Sequence, residues 1–306
     1  MSDETRRQPL LSIVTVNYNG GAMTCQLLDS IRRYQPDAEV IVVDNGSYGD
    51  DVSMISSSYP EVVVIATGEN LGFAGGNNVG IRAAHGRYIL MINNDAELTE
   101  GGVDAMLKRI EQEDNIGLVS PKILFHHQPG TIQYAGFTPL SPITLRNNAI
   151  GYGTHDEGQH DTPHPTPYAH GAAMMASRKA IERAGLMPED YFLYYEELDW
   201  SVIFSRKGMT NYYEPLTTVT HKESATTGAD SPLKVYYNTR SRLIFAYRNI
   251  SLPARWLAYL YLGIVVATRD VVRYWFKGRK DMAKAVVKGI CSFAKYKRLE
   301  SPKLEK

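Results

Sequence analysis

The sequence predicts an α/β fold in which a mostly parallel β-sheet is flanked by helices. Short apolar runs rich in β-branched residues alternate with segments of helical periodicity in the N-terminal third, and the links between them are short. That alternation is typical of parallel crossover units. Several of the apolar runs stop abruptly at small polar residues, and open α/β sheets bind ligands beyond the carboxyl ends of their strands. The pattern therefore predicts both a sheet and the edge at which a site would lie.

Length and composition are those of an ordinary globular protein. With 306 residues, 43% hydrophobic and 22% charged, the chain can bury the core of one large or two small domains. Its two cysteines, Cys25 and Cys291, suggest neither a disulfide framework nor a zinc site and fit a reducing, cytoplasmic setting. Residues 1–9 are polar and lack the apolar core of a signal peptide, and we expect them to be disordered.

Three strands and two helices are predicted before the first glycine-rich segment. The strands are Leu10–Val16, Glu39–Val43 and Val62–Ala66, and the helices cover about Met23–Tyr34 and Val52–Tyr59. Asn17 follows the first strand, and Asp44 and Asn45 follow the second. These polar side chains are expected at the ligand edge of the sheet.

The segment from Asn70 to Asn78 has three glycines in five positions, Gly72, Gly75 and Gly76, and leads into a helix that ends near His85. Glycines allow a ligand to approach the backbone, and Asn77 near a helix N-terminus suits an anion. The spacing is neither that of a dinucleotide motif nor that of a P-loop. Two interpretations of this segment are therefore possible: a loop that lines a phosphate, or a glycine turn that packing requires.

Tyr88–Ile92 is a continuous apolar run of strand length, which predicts a strand buried on both faces. It stops at Asn93, Asn94 and Asp95. At such a strand end Asp95 is positioned to hold a divalent cation or a ribose. The alternative is an ordinary Asn/Asp turn, but the polar ends of the other predicted strands favour a site.

A helix over Gly102–Glu113 and a strand over Ile116–Ser120 are predicted next, and residues 122–167 then become rich in Gly, Pro, Thr and His. The histidines there and just beyond match no zinc-ligand spacing; they are His155, His160, His164 and His170. We expect a mobile flap over the site rather than a metal centre.

An acidic cluster follows a strand predicted at Ala172–Ser177 and a helix at Arg178–Ala184. Glu196, Glu197 and Asp199 lie within four residues, next to large apolar side chains. Desolvation and mutual repulsion raise the pKa of a carboxyl group in such surroundings, which suits a general base near neutral pH. Acidic residues are also typical of the first turn of a helix. The two interpretations are compatible.

Two further strands are predicted at Asn211–Glu214 and Thr217–Thr220. The second ends at His221, Lys222, Glu223 and Ser224, and His221 is a candidate metal ligand or phosphate contact. A helix opening near Tyr236 carries Arg240 and Arg242, which either clamp phosphate or pair with carboxylates.

The C-terminal residues 251–306 are predicted to form a basic, amphipathic helical extension of a domain over residues 10–250. Arg269 to Lys306 contain 12 Lys and Arg against 4 Asp and Glu. The apolar run Trp256–Ala267 is 12 residues long, short of the ~20 that span a bilayer. We expect peripheral association with the anionic inner face of the cytoplasmic membrane. Packing on the domain is the alternative, and nucleic acid is not expected, because no recognition motif accompanies the charge.

Five ordered motifs between Leu10 and Asn249 resemble those of glycosyltransferase family 2, the inverting enzymes of GT-A (Rossmann-like) fold, and especially its bacterial rhamnosyltransferase-like branch. They are Val14–Asn19, Val42–Ser47 with Asp50, Asn70–Asn77, Asn93–Asp95, and Tyr195–Asp199 followed by Arg206–Gly208. Each motif alone is weak, whereas their order and spacing together are specific.

The resemblance implies a nucleotide-diphosphate sugar donor, either a dTDP- or a UDP-sugar. Asp44 and the surroundings of Asn17 would hold the base and ribose, and the Gly72–Asn77 segment would line the diphosphate. The implied donor-binding residues are Asn17, Asp44, Asn45, Asn70, Gly72, Gly75, Asn77, Asn93, Asn94 and Asp95. Asp95 matches the aspartate that binds Mg²⁺ or Mn²⁺, His221 a histidine that completes the metal site, and Glu197 the catalytic base.

Two positions depart from the family pattern. Asn93 replaces the first aspartate of the Asp-x-Asp signature, which removes an anionic ligand, and the base is Glu where Asp is usual, so Glu196 and Asp199 stay candidates beside Glu197. The implied activity is inverting, metal-dependent transfer of a sugar, rhamnose being expected, to a lipid-linked or cell-surface polysaccharide acceptor. The alternatives are a catalytically inactive carbohydrate-binding or scaffold protein of a polysaccharide assembly complex and, less favoured, a sugar-phosphate nucleotidyltransferase.

Overall fold

The computed structural model describes residues 9–222 and 231–300, so the predictions for residues 1–8 and 301–306 and for Glu223 and Ser224 lie outside the described residues. The described residues form a ten-stranded sheet. Its strands are β1 (Leu11–Asn17), β2 (Glu39–Asp44), β3 (Val63–Ala66), β4 (Tyr88–Ile92), β5 (Ala96–Leu98), β6 (Ile116–Phe125), β7 (Ile132–Tyr134), β8 (His164–Pro165), β9 (Ala173–Ser177) and β10 (Thr210–His221). Their order is β3-β2-β1-β4-β9-β6-β10-β5, with β7 beside β6 and β8 beside β10.

Pairing between the long strands is mostly parallel. β1 is parallel to β2 and β4, β2 to β3, and β6 to β10, while β9 runs antiparallel between β4 and β6. The predicted mostly parallel α/β sheet is confirmed. Because two antiparallel steps restore the original direction, the carboxyl ends of β1, β4 and β10 meet at one edge.

Helices cover both faces of the sheet. They are α1 (Gly21–Tyr34), α2 (Asp51–Ser58), α3 (Gly72–Ala83), α4 (Asp104–Gln112), α5 (Arg178–Ala184) and α6 (Glu196–Arg206). Successive residues of β4 belong to different cores: Leu90 packs with Leu28 and Met106 of α1 and α4, and Ile89 packs with Phe204 of α6. This alternation explains why β4 is apolar throughout.

β10 is one continuous strand, so the prediction of two strands with a break was wrong. Its register with β6 shifts between Glu214 and Thr218, around Pro215. Proline has no N–H to donate to the ladder, so it produces an irregularity here rather than a strand end. β10 therefore runs without a break to His221.

The segment predicted as a mobile flap is anchored to the sheet. Lys122 of β6 is 4% exposed, and its Nζ lies 2.8 Å from Asp156 Oδ2 and also contacts Asp161. Tyr213 Oη donates to the carbonyl oxygen of His160 at 3.1 Å. A buried ammonium group that lost its carboxylate partners would be strongly destabilised, so these contacts hold the segment in place.

The C-terminal residues form α7 (Pro232–Asn249), α8 (Ala254–Leu260), a π-helical segment (Tyr261–Val266), α9 (Ala267–Phe276) and α10 (Lys280–Glu300). One side of this assembly packs on the rest of the chain, because Ile244, Leu262 and Phe293 share a core with Tyr195 and Leu198. On this side the C-terminal helices therefore pack on the domain, which was the alternative to membrane association. A domain boundary at residue 250 stays a prediction.

The other side of these helices is apolar and exposed. Trp256, Leu260, Ile264, Trp275 and Phe276 are each more than half exposed. None of the helices within residues 9–222 and 231–300 has the length and apolarity needed to cross a bilayer.

Candidate active site

A cleft of about 440 Å³ opens at the carboxyl ends of β1, β4 and β10. Most residues predicted from the sequence as site residues line it, namely Asn45, Asn70, Gly72, Asn77, Asn93, Asn94, Asp95, Glu196, Glu197 and His221. Four predicted residues do not line it: Asn17, Asp44, Gly75 and Asp199. Polar residues that are far apart in sequence thus meet at the edge where the strand pattern predicted a site.

Asp95 and His221 form a buried pair in this cleft. His221 Nε2 lies 3.1 Å from Asp95 Oδ1, and His221 Nδ1 lies 2.9 Å from Gln133 Oε1 on β7. Because an amide oxygen only accepts hydrogen bonds, Nδ1 donates to it and the orientation of the ring is fixed. Burial alone would raise the pKa of Asp95, but the hydrogen bond and charge of His221 lower this pKa below its usual value.

The pair offers donor atoms that fit a divalent cation. A carboxylate oxygen suits Mg²⁺ or Mn²⁺, and an imidazole nitrogen suits Mn²⁺ better than Mg²⁺. Asn93 Nδ2 lies 3.4 Å from His221 Nε2, so the Asn93 side chain borders the same point. Among the described residues no third His, Cys, Asp or Glu completes a metal group. Phosphate oxygens and water would supply the remaining ligands, as they commonly do for Mg²⁺.

Another wall of the cleft is the N-terminus of α6, which carries Glu196 and Glu197. Glu196 is 2% exposed, and its Oε2 has no hydrogen-bond partner within the described residues. Burial, followed by the charge of Glu197, raises the pKa of Glu196 well above its usual value. Glu197 borders the cleft, and burial raises its pKa to about 7. Glu197 is therefore suited to accept a proton near neutral pH.

The turn before α6 has a strained backbone. Phe192, Tyr194 and Tyr195 have φ angles of 69°, 67° and 76°, in the left-handed region. Each such residue costs on the order of 1–3 kcal/mol, which surrounding contacts have to offset. The contacts at 2.9 Å are Phe73 N to Phe192 O, Arg240 Nη1 to Tyr191 O and Ser241 Oγ to Leu193 O. The helices α3 and α7 thus set the position of Glu197.

The glycine-rich segment predicted as a loop is the start of α3, which corrects that prediction. Gly72 has a φ of +76°, and a Cβ at this position would lie 2.4 Å from Phe192 O. A Cβ at Gly76 would lie 2.8 Å from Val16 of β1, and one at Gly75 would lie 2.7 Å from Leu71, the residue before α3. These glycines are therefore required for close packing, as the second interpretation predicted. Among the three, only Gly72 borders the cleft.

Side-chain amides hold the start of α3 and border the cleft. Asn45 Oδ1 accepts from Leu71 N at 3.0 Å, and Asn70 Oδ1 accepts from Gly72 N at 2.9 Å. Asn77 Nδ2 donates to the carbonyl oxygen of Phe73 at 2.9 Å. The helix start and the cleft wall therefore depend on the same residues.

Asn17 and Asp44 lie behind the cleft wall. Asn17 Nδ2 donates to Asp44 Oδ2 at 2.8 Å, and Asp44 Oδ1 accepts from Ser47 N at 3.0 Å. Both side chains are at most 3% exposed. Tyr18, the residue after Asn17, lines the cleft instead. The sequence located the correct strand end but not the side chain that faces the cleft.

Asp199 is a structural residue of α6 and α7. Its carboxylate accepts hydrogen bonds from Tyr191 Oη at 2.9 Å, Arg248 Nε at 2.5 Å and Asn249 Nδ2 at 2.8 Å. It is 1% exposed and does not line the cleft. The structure thus separates Asp199 from Glu197, which the resemblance favoured as the base, and from Glu196, the other candidate.

The cleft also contains aromatic residues that were not predicted from the sequence as site residues. Those on its wall include Tyr18, Phe73, Phe137, His170, Phe192 and Tyr194. His170 Nδ1 accepts from Ala172 N at 3.1 Å, and burial followed by the charge of His221 lowers its pKa to about 3, so the ring is neutral. The aromatic run at Tyr191–Tyr195 is visible in the sequence, but nothing there indicates that His170 stacks on Phe137.

The family described as Glycosyl transferase family 2 matches residues 12–185, more than half of the chain. The chain belongs to glycosyltransferase family 2. The predicted family is confirmed, and so is the GT-A fold with its mostly parallel sheet flanked by helices.

Two glycosyltransferases are similar to this chain over most of its length. The low-salt glycan biosynthesis hexosyltransferase Agl10 of Haloferax volcanii is 28% identical over 272 residues, covering 87% of this chain and 85% of that protein. An N-acetylglucosaminyl-diphospho-decaprenol L-rhamnosyltransferase of Mycobacterium tuberculosis is 24% identical over 273 residues, covering 81% and 88%.

Solved structures share the fold of this glycosyltransferase. The mannosyltransferase PcManGT of Pyrobaculum calidifontis, solved with GDP-Man and Mn²⁺, has a TM-score of 0.57 at 14% identity and covers 94% of this chain and 88% of its own. S. aureus TarS 1-349 in complex with UDP-GlcNAc has a TM-score of 0.55 at 14% identity and covers 92% and 80%.

Proposed function

We propose that this glycosyltransferase transfers a sugar, with inversion, from a dTDP- or UDP-sugar to a lipid-linked or cell-surface polysaccharide acceptor. One observation carries the proposal: Asp95 and His221 line the same cleft as Glu197. The first two residues offer ligands for a divalent cation, and the third is a carboxyl group that ionises near pH 7. The name of the Mycobacterium tuberculosis relative supports rhamnose as the sugar and a polyprenyl-linked acceptor. The name of the hexosyltransferase Agl10 supports a role in glycan biosynthesis.

In the proposed reaction Glu197 takes the proton from an acceptor hydroxyl. The hydroxyl oxygen attacks the anomeric carbon from the side opposite the nucleotide diphosphate, which leaves with the electron pair of its bond, so the configuration inverts. The contacts that fix the strained turn keep the carboxylate in position, and a displacement of about 1 Å can cost ~10²-fold in rate. Mg²⁺ or Mn²⁺ held by Asp95 and His221 would neutralise the charge of the departing diphosphate.

The donor is proposed to lie along the polar wall of the cleft. The residues proposed to contact it are Tyr18, Asn45, Asn70, Gly72, Asn77, Asn93, Asn94 and Asp95. Asn17 and Asp44 act as positioning residues in this proposal, because their hydrogen bond fixes the strand end that carries Tyr18.

We place the enzyme at the inner face of the cytoplasmic membrane. The exposed apolar side chains Trp256, Leu260 and Ile264, together with the basic C-terminal residues, are typical of a helix that lies in an anionic interface. Co-sedimentation with vesicles that contain anionic lipid tests this placement. The double variant Trp256→Ser, Leu260→Ser should bind these vesicles less than the unaltered protein does. Equal binding of the variant and the unaltered protein, or binding to neutral vesicles as strong as to anionic ones, would contradict this placement.

Nucleotide release from UDP-, GDP- and dTDP-sugars, with Mn²⁺ and a lipid-linked acceptor, tests the activity. We expect UDP or dTDP release that requires the acceptor and the metal and that is lost in Asp95→Ala. The anomeric configuration of the product, determined by NMR, tests inversion. Undiminished turnover in Asp95→Ala would contradict the metal assignment.

The second candidate is a catalytically inactive carbohydrate-binding or scaffold protein. The departures at Asn93 and at the base position favour it. Such a protein would bind a nucleotide sugar in calorimetry but release no nucleotide with any donor and acceptor of the panel.

A further inference from the structure

A second cavity, of about 260 Å³, lies between α7, the π-helical segment, α9 and α10. It adjoins the catalytic cleft, because Lys234 borders both. Its wall combines cationic side chains with an apolar surface. The cationic residues are Arg146, Lys234 and Arg242, and the apolar ones are Val235, Leu243, Leu262, Val266, Ala267 and Val286. The proposed chemistry uses none of these residues.

We propose that this cavity binds the diphosphate and the first isoprene units of a polyprenyl-diphosphate-linked acceptor. The assignment rests on the proposed function, because it gives a binding site to the lipid that carries the acceptor sugar. A diphosphate bound next to Lys234 would leave the attached sugar at the mouth of the cleft that contains Glu197.

The cationic part of the wall suits a diphosphate. Arg146 is exposed and forms no ion pair with another described residue. Arg242 Nε donates to Tyr195 Oη at 2.8 Å, a neutral partner, and its terminal nitrogens form no ion pair in the described part of the chain. Guanidinium groups bind phosphate with two parallel hydrogen bonds. The carboxylate on this wall, Asp270, pairs with Arg269 at 2.7 Å, so the wall keeps an excess of positive charge.

The apolar part of the wall suits a hydrocarbon chain. Leu262 and Val266 belong to the π-helical segment, an uncommon conformation that recurs at functional sites. The same segment turns Ile264 and Val265 outward, where they are 63% and 54% exposed. A chain that starts in the cavity therefore has apolar surface nearby on the outside of the same segment.

The combination favours a ligand in which a phosphate group adjoins a hydrocarbon chain. A free phosphate or a nucleotide would gain nothing from the buried leucine and valine side chains, and a plain acyl chain would gain nothing from the arginines. A prenyl diphosphate uses both, since its charged head and its branched hydrocarbon begin at adjacent atoms.

Farnesyl diphosphate is a soluble probe of this site. Calorimetric titration of the full-length protein without metal should detect binding of farnesyl diphosphate, with inorganic pyrophosphate and farnesol each at least about tenfold weaker. Arg146→Gln should weaken binding at least about tenfold, as expected for the loss of a charged hydrogen bond. Arg273→Gln is the matched control, because Arg273 is exposed on α9 and does not border the cavity.

A second variant tests the apolar wall. Leu262→Ser should weaken binding of farnesyl diphosphate and leave that of inorganic pyrophosphate unchanged. Thermal unfolding of each variant confirms that it is folded. If Arg146→Gln and Arg273→Gln weakened the binding of farnesyl diphosphate equally, the binding would reflect general attraction by the basic extension. That result would overturn the assignment.

Competition separates this assignment from the proposed function. We expect that UDP or dTDP with Mg²⁺ does not displace farnesyl diphosphate, and displacement would put the probe in the donor cleft and overturn the assignment. If nucleotide turnover occurs but no binding of the probe depends on Arg146, only the cavity assignment fails. If the probe binds as expected and no nucleotide binds, the cavity assignment stands and the proposed function fails.

Discussion

The two carboxylate sites of the cleft have opposite environments. Asp95 is next to His221, whose hydrogen bond and charge lower the pKa of Asp95 in spite of burial. Glu197 is next to another carboxyl group, Glu196, and burial raises the pKa of Glu197 to about 7. Both are glutamate or aspartate side chains removed from water, so burial alone does not determine their charge. At Asp95 the neighbour His221 decides, and the carboxylate stays an anion that can bind a cation. At Glu197 no cation among the described residues offsets burial, so the carboxyl group can exchange a proton near pH 7.

The largest effect should come from removing the proton acceptor. Glu197→Gln keeps the size of the side chain but cannot take a proton, so kcat should fall by about 10²–10⁴-fold. Steady-state nucleotide release measures it. Glu196→Gln is the matched control, because burial and the charge of Glu197 raise the pKa of Glu196 and favour its protonated, uncharged form, which glutamine mimics. A large loss in Glu196→Gln with activity retained in Glu197→Gln would exchange their roles.

A smaller effect is expected at the Asp95 site when His221 loses its hydrogen bond to Gln133. Gln133→Leu deletes the acceptor of the His221 Nδ1 hydrogen bond, and loss of such a partner typically costs about 10–100-fold in metal affinity or activity. The Mn²⁺ concentration for half-maximal turnover should rise accordingly. Gln128→Leu, at an exposed position before β7, is the control. An unchanged Mn²⁺ requirement in Gln133→Leu would contradict a metal at His221.

The pH dependence of turnover should report the Glu197 site rather than the Asp95 site. A general base has to be ionised, so kcat should fall as the pH is lowered through about 7, approaching tenfold per pH unit. Asp95, with its lowered pKa, should contribute no loss in this range. Turnover measured from pH 5.5 to 8.5, with folding checked at each pH, tests this. A flat profile would contradict Glu197 as the base.

The smallest effect concerns stability. The pKa of Glu196 is raised in the folded state, so the folded protein binds a proton that the unfolded chain releases above its ordinary pKa of about 4.3. The free energy of unfolding should therefore fall as the pH rises above that value. Glu196→Gln removes this contribution and should show a smaller fall in urea denaturation between pH 5 and pH 8. An equal fall in both proteins would mean that Glu196 ionises freely.

Much of the framework could be predicted from the sequence, because it depends on local patterns. The apolar run of β4 and the polar residues after it place Asp95 at a strand end, and the acidic residues before Leu198 mark the start of α6. The glycine segment was harder. Gly72 and Gly76 suit a phosphate loop and a closely packed helix equally well, and only the neighbouring Phe192 and Val16 decide between them.

The polar strand ends and the acidic helix start can be predicted from the sequence, since strand and helix periodicity are encoded over short stretches. Which of the acidic side chains face the cleft depends on the packing of α6 against α7. Glu197 and Asp199 are two positions apart on a helix and point in different directions, and Arg248 of α7 binds Asp199. Gln133 likewise gains its role only when β7 lies beside β6 and brings it to His221. Such contacts join residues far apart in the chain, and no local pattern specifies them.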